Sequence, residues 1–167
     1  MAVHEHKAEG RKARCFVITV SDTRDETTDR SGAAIKDALN AEGHQVSGYR
    51  IVRDEPDQIE AVLTNAVADA DNDVVIVNGG TGIAPRDGTY EIVSRMLDKR
   101  LDGFGELFRY LSYGDIGSAA MMSRAVAGTI GESIVFSLPG STGAVQLALT
   151  KLILPEIGHM ISQLRGK

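Results

Sequence analysis

At 167 residues, with 43% hydrophobic and 25% charged side chains, the chain has the length of one domain with a full core and a composition far from that of a disordered segment. Its 23 acidic residues against 18 basic ones give a net charge of −5, which withholds the general attraction to a polyanion that nucleic-acid binding draws on. No apolar run approaches the roughly 18–20 residues of a membrane-spanning helix, and the N-terminus lacks an apolar signal core, so a cytoplasmic protein with neither nucleic-acid nor membrane partners is expected.

Residues 1–13 are polar, with a basic flavour from Lys7, Arg11 and Lys12, and read as a flexible tail ahead of a single domain over residues 14–167. The domain alternates short β-branched runs with segments of helical period, the pattern of a layered α/β sheet. Cys15 to Val20 is almost continuously apolar and predicts a central strand covered on both faces. Cys15, the only cysteine, then packs as a small hydrophobe, and there is no disulfide framework. After the loop SDTRDETTDRSG, Ala34, Ile35, Ala38 and Leu39 predict a helix to about Glu42, stopped by Gly43.

Gln45 to Arg53 reads as a strand, and Ile59, Val62, Leu63, Ala66 and Val67 mark a helix with Pro56 in its first turn. Val74 to Val77 predict another buried strand, followed by NGGTGIAPRDGT and a helix carrying Ile92, Val93, Met96 and Leu97. From Phe104 to Met122 the interspersed Gly103, Gly105, Gly114 and Gly117 predict short, broken helical pieces. Arg124 to Ala127 and Ile134 to Leu138 predict a hairpin turning through Gly128 to Gly131. The closing segment, Leu147 to Leu164, has a helical period that Pro155 must kink or restart.

Polar segments follow the predicted strands at Ser21 to Arg24, at Asp54 and Glu55, at Gly79 to Asp87 and at Pro139 to Thr142. Ligands of open α/β sheets bind beyond the carboxyl ends of strands, so these loops are expected to share one cleft. In GGTG the glycines let a ligand approach the backbone, permit positive φ and leave N–H groups for an anion, with Thr81 adding a hydroxyl. The same residues also suit a tight structural turn. The loop matches neither the P-loop nor the dinucleotide fingerprint. Asp87 reads either as a helix N-cap or as an oxygen ligand of a Mg²⁺ that bridges nucleotide phosphates, and Arg86 beside it points to a phosphate.

Asp54 becomes a second carboxylate near that phosphate if the loops converge, while Glu55 reads as a helix-start residue. Arg24 and Arg124 are candidate ligand contacts or plain solvated charges, and Ser123 and Ser141 are candidate hydrogen-bond donors. His44 and His159 have no partner at metal-ligand spacing, and His4 and His6 lie in the tail, so no histidine metal site is expected.

Taken together, ITVSDTR, GGTGIAPRDGTYE, GFGELFR, MSRAVAG and LPGST resemble the molybdopterin-binding proteins of molybdenum cofactor biosynthesis, over about Arg14 to Leu164. The resemblance implies a three-layer α/β/α sandwich with a mostly parallel central sheet, self-association as a homotrimer or homohexamer, and contact with other proteins of the pathway. It also implies molybdopterin as substrate or ligand and, in a catalytic member, adenylyl transfer to it from ATP with Mg²⁺. Carried over by position, it assigns Ser21, Asp22 and Arg24 to the first binding loop. Gly79, Gly80, Thr81 and Gly82 fall in the pterin and phosphate cradle, and Asp87 and Asp54 fall to catalysis, with Arg86 kept as a binding residue and Asp87 as the Mg²⁺ ligand by the reading of the residues above. Glu106, Ser123, Arg124, Pro139, Gly140 and Ser141 match further positions around the cleft.

The chain's shortness resembles a branch of that family whose members are not all catalytic, whereas Asp54, Arg86 and Asp87 favour a competent adenylyltransferase. The alternative is a non-catalytic molybdopterin-binding or carrier protein. A more distant one is a hydrolase of the competence-damage type, whose loop carries paired acids in place of RDGT. Two further expectations concern assembly and the glycine loop. Phe104, Leu107, Phe108, Tyr110 and Leu111 offer apolar surface to a neighbouring subunit, and Gly80→Val blocks the ligand while sparing the fold.

Overall fold

The computed structural model describes residues 10–166, so most of the expected tail lies outside the described residues. Its last two residues are held. Ala13 is buried and donates its N–H to His44 Nδ1 at 3.0 Å, and Lys12 Nζ donates to the Glu42 carbonyl at 2.7 Å. Burial and then the Lys12 charge push the His44 pKa down, which keeps Nδ1 an acceptor.

The strands are β1 (Arg14–Val20), β2 (Gln45–Val52), β3 (Val74–Asn78), β4 (Lys99–Arg100), β5 (Val126–Ile130) and β6 (Ser133–Leu138). They form one sheet in the order β2-β1-β3-β6-β5-β4. β2, β1, β3 and β6 run parallel, and β5 runs antiparallel to both of its neighbours. The helices are α1 (Arg30–Ala41), α2 (Pro56–Ala68), α3 (Thr89–Met96), α4 (Asp102–Ile116), α5 (Thr142–Ala148) and α6 (Leu154–Leu164).

Period-2 alternation distributes each strand between two cores. Val74 and Ile76 of β3, with Ile134 and Phe136 of β6, meet α1, α4, α5 and α6, while Val75, Val77 and Val135 meet α2 and α3. The sheet is therefore covered on both faces, and the molecule is the mostly parallel α/β/α sandwich that the resemblance implies. Cys15 is fully buried in the first core, and burial pushes its thiol up to about 12, so it is an inert packing group.

Three local expectations are corrected. The segment expected to break at its glycines is one 15-residue helix, α4, continued by a 3₁₀ turn over Gly117–Met122. Gly105 lies inside it because a Cβ there would stand 2.8 Å from the Ala125 carbonyl, so the glycine admits close packing and does not break the helix. Phe104 and Phe108 are core residues stacked on each other, leaving Leu107 and Tyr110 as the exposed apolar positions of that group. The hairpin turns at Gly131, φ +56°, whereas Gly128 lies within β5 against the Lys99 carbonyl.

α5, a π turn over Leu149–Ile153 and α6 make one helical run, with Pro155 in the first turn of α6. The π turn provides the register change that a helix needs around a proline ring. The sequence predicts no membrane-spanning segment, since no apolar run approaches the needed length. The run Thr142–Leu164 nevertheless has the length and composition to span a bilayer. Its stripe of Val145, Leu149, Ile153, Ile157 and Ile161 is spent in the core.

Candidate functional site

From β1 the chain passes to β2 on one side and then returns to β3 on the other side of β1. The following helices diverge to opposite faces, α1 with one core and α3 with the other. Such a switch point opens a crevice at the carboxyl edge of the sheet. A cleft of about 570 Å³ lies there, within the usual range for a small-molecule site. Gly79, Gly80, Thr81 and Gly82 line it, joined by Ser21 and Arg24 after β1, Ser123 before β5, and Pro139, Gly140 and Ser141 after β6.

Gly79 and Gly80 take φ values of +97° and +67°. A Cβ on Gly79 would stand 2.2 Å from the Val20 carbonyl oxygen, and one on Gly80 would stand 2.2 Å from Thr89 Oγ1 and 2.9 Å from Asp54 Oδ2. The expectation that Gly80→Val spares the fold is thereby corrected, since valine collides with the protein's own interior before any ligand arrives. Arg124 clasps the loop from outside. Its Nε donates to the Thr81 carbonyl at 3.0 Å and its Nη2 to those of Gly82 at 2.5 Å and Asp87 at 3.3 Å. It also pairs with Glu91 and lies over the Tyr90 ring, 5.0 Å from the centroid. Its donors thus shape the loop.

Arg24 ties two loops together. Its Nη1 donates to the Gly140 carbonyl at 3.1 Å, and Ser31 Oγ donates to the same oxygen at 2.6 Å. Behind it lies Asp29, 2% exposed, whose Oδ1 is 3.6 Å from Arg24 Nη1. Asp29 caps α1 through the Gly32 N–H at 3.0 Å and accepts from Thr19 Oγ1 at 2.6 Å and from the Tyr49 hydroxyl. Burial and then the Asp29 acceptor push the Tyr49 pKa well up. Ser141 caps α5, accepting from the Ala144 N–H at 3.2 Å.

The carboxylates gather ahead of α2 and α3, against Gly80 and Gly82 of the loop, and Asp54 and Asp87 do not themselves line the cleft. Asp54 is 7% exposed; its Oδ1 accepts the Gly88 N–H at 3.2 Å, and its own N–H donates to Asp22 Oδ1 at 3.1 Å. Burial, with added repulsion from Asp87 and Asp22, raises its pKa against the opposing Gly88 hydrogen bond. Gly88 occupies the N-cap position of α3, and Asp87 turns its carboxylate back to the Ala84 N–H at 3.0 Å. The cap alternative for Asp87 is therefore set aside.

Arg86 bridges the rim from Asp22, at 2.6 Å, to Glu55, at 2.8 Å, and holds the Asp22 carboxyl below its ordinary range. Glu55 stands at the N-cap of α2 without a side-chain cap bond, so its carboxylate serves Arg86. Glu106 does not line the cleft. It lines a neighbouring recess of about 370 Å³ with Tyr90, Arg100 and Arg109, and Ser123 borders both spaces.

The site residues assigned from the motifs leave out one wall. Phe108, Ser112, Asp115 and Ile116 of α4, with Met122 of the 3₁₀ turn, line the cleft. Their spacing of i, i+4, i+7 and i+8 places them on one helix face, a signal hidden by reading the segment as broken. Among the described residues, no three His, Cys, Asp or Glu side chains converge on a metal-sized point.

The fold and cleft define an α/β small-ligand-binding domain with its site at a sheet switch point. The chain belongs to the family described as a probable molybdopterin binding domain, which it matches over residues 16–159. It is similar to Molybdenum cofactor biosynthesis protein B of Bacillus cereus, with 53% identity over 166 residues and 98% of each chain covered. A crystal structure of a Molybdenum cofactor biosynthesis protein B matches it with a TM-score of 0.92 at 52% identity, over 95% of this chain and 99% of that one. The tungsten cofactor synthesizing protein MoaB from Pyrococcus furiosus matches with a TM-score of 0.83 at 39% identity, over 93% and 98% respectively.

Proposed function

We propose that the chain acts in molybdenum cofactor biosynthesis, binding molybdopterin in the cleft and transferring to its phosphate an adenylyl group from ATP. The observation that carries the transfer is the placing of Asp54 and Asp87 against the glycine loop: positions one Cβ beyond Gly80 and Gly82 lie 2.9 Å from Asp54 Oδ2 and 2.5 Å from Asp87 Oδ2. In the reaction an oxygen of the molybdopterin phosphate bonds to the α-phosphorus of ATP. The bond from that phosphorus to the α,β-bridging oxygen breaks, and pyrophosphate leaves with the electron pair.

Mg²⁺ takes one or two carboxylates and completes its shell with water and substrate phosphates, and Asp54 and Asp87 stand against the glycine loop. Asp54 and Asp87 would hold it, and it would supply neutralisation of charge on the polyphosphate. The chain's own residues do the positioning. The glycine loop would meet the transferring phosphate with backbone N–H groups other than that of Gly79, which bonds the Leu138 carbonyl at 3.0 Å, and Arg24 would meet a phosphate in the cleft.

Self-association as a trimer or hexamer belongs to the same proposal, supported by exposed Leu107, Tyr110, Tyr113 and Met121, and so does cytoplasmic placement beside ATP. A non-catalytic carrier of molybdopterin is the second reading, favoured by one observation: Arg86 is already committed to Asp22 and Glu55. Incubation with molybdopterin and Mg·ATP separates the two. Pyrophosphate and adenylylated molybdopterin appearing in equal amounts over many turnovers support transfer, and tight binding with no pyrophosphate supports the carrier.

A further inference from the structure

Among the described residues whose side chains line the cleft, only Arg24 and Asp115 carry charge. They come from different walls, Arg24 from the loop after β1 and Asp115 from the last turn of α4. Arg24 has carbonyl and carboxylate neighbours that fix its place. Asp115 has none: it is exposed and makes no hydrogen bond or ion pair among the described residues. Its position also works against the helix, because a carboxylate in the last turn meets the negative end of the helix dipole. An unpaired acid that weakens its own helix and faces a ligand-sized cleft has no structural return to explain it.

The cleft is also lined by apolar groups, among them Phe108, Ile116, Met122 and Leu147. A cation and a carboxylate from different walls of one apolar-lined cleft suit a flat heterocycle carrying a phosphate on one side and two adjacent N–H donors on the other. The pyrimidine edge of a pterin presents its 2-amino group and N3–H side by side, and a carboxylate accepts both at once. Adenine places a ring nitrogen lone pair next to its 6-amino group, so the same carboxylate would meet one donor and one repelling lone pair.

We infer that Asp115 reads the 2-amino-4-oxo edge of the pterin and so reserves the cleft for the pterin substrate, leaving the nucleotide to the carboxylate rim at Asp54 and Asp87. This rests on the proposal that the cleft binds molybdopterin, and it adds which residue sets the selectivity. Ser112, one turn back on the same face, borders the same subsite.

The probes are a 6-hydroxymethylpterin phosphate and its lumazine counterpart, in which the 2-amino group is replaced by oxygen, titrated by fluorescence quenching. The wild type binds the pterin roughly tenfold to a hundredfold more tightly than the lumazine, the scale of a charge-assisted hydrogen-bond pair. Asp115→Asn, an exposed substitution that relieves the helix dipole, unfolds at no lower a temperature than the wild type and erases that preference, because the amide donates to the lumazine carbonyl while losing the bidentate acceptor. A wild type without preference, or a variant that keeps it, overturns the assignment of Asp115 and leaves the cleft reading standing. If neither compound binds the wild type at millimolar concentration, the cleft reading falls and this inference with it. ATP displacing the pterin from the cleft one for one overturns the division of the two substrates.

Discussion

The glycine loop and the α4 wall border one cleft but are held in opposite ways. Around the loop the polar groups are committed: Arg124 holds three carbonyls, Asp54 holds the Gly88 N–H, Asp87 holds the Ala84 N–H, and Arg86 bridges Asp22 and Glu55. On α4 the lining is apolar apart from Ser112 and Asp115, and the adjoining Ile116 and Met122 are exposed. Under the proposed function the difference separates two tasks. A phosphate is met by fixed dipoles that must not reorganise, whereas a heterocycle is selected by shape and by a few groups free to bond with it.

The sharpest way to break this contrast is to test the room inside the loop. Gly80→Val must satisfy φ +67° and a Cβ 2.2 Å from Thr89 Oγ1, and we expect a loss of about 3 kcal/mol, a fall in melting temperature of roughly 6–12 °C. A variant melting within a degree of the wild type would show that the loop is not rigidly seated. Gly143 lines the cleft from α5, and a Cβ there meets nothing within 4 Å. Gly143→Phe should therefore keep the melting temperature while lowering molybdopterin affinity at least roughly tenfold. Unchanged affinity in calorimetry would move the ligand out of this cleft.

Asp54 gives a smaller effect whose sign follows from its environment. Its pKa is raised in the folded state, so the folded chain binds that proton more tightly than the unfolded one. Its contribution is fully present below the ordinary value of 3.8 and is lost as pH rises through the raised value. At neutral pH the ionised Asp54 is then a cost. Asp54→Asn, which retains an acceptor for the Gly88 N–H, should raise the melting temperature by roughly 1–4 °C near pH 7, with the gain shrinking towards pH 4. A gain that grows on acidification contradicts the assignment. Smallest of all is Arg86→Gln: its ion pairs are exposed, so the melting temperature should move by less than about 1 °C, and a larger shift in differential scanning would make the bridge structural.

Much of this was legible in the residues. The β-branched runs give β1 and β3 their places between two covered faces, and the spacing of Ile59, Leu63 and Ala66 gives α2 its buried stripe. The glycine loop falls at the carboxyl end of a strand because that is where an α/β sheet leaves backbone uncovered. What was hidden lies where tertiary contact overrides local propensity. Gly105 reads as a helix breaker until the Ala125 carbonyl is found against it. Asp87 reads as a cap because sequence does not show its side chain turning back to Ala84. Asp115 is invisible because its cleft partners, Arg24 and Gly143, are brought to it only by the fold.

The central claim is that Asp87 acts in the chemistry and not in holding the pterin, and one paired measurement tests it: molybdopterin affinity and Mg·ATP-dependent adenylyl transfer, on the wild type and on Asp87→Asn. The asparagine keeps an acceptor for the Ala84 N–H, so folding and affinity should stay within roughly twofold while transfer falls by about a hundredfold or more. Transfer by Asp87→Asn at the wild-type rate, or loss of affinity in step with loss of transfer, would contradict the account.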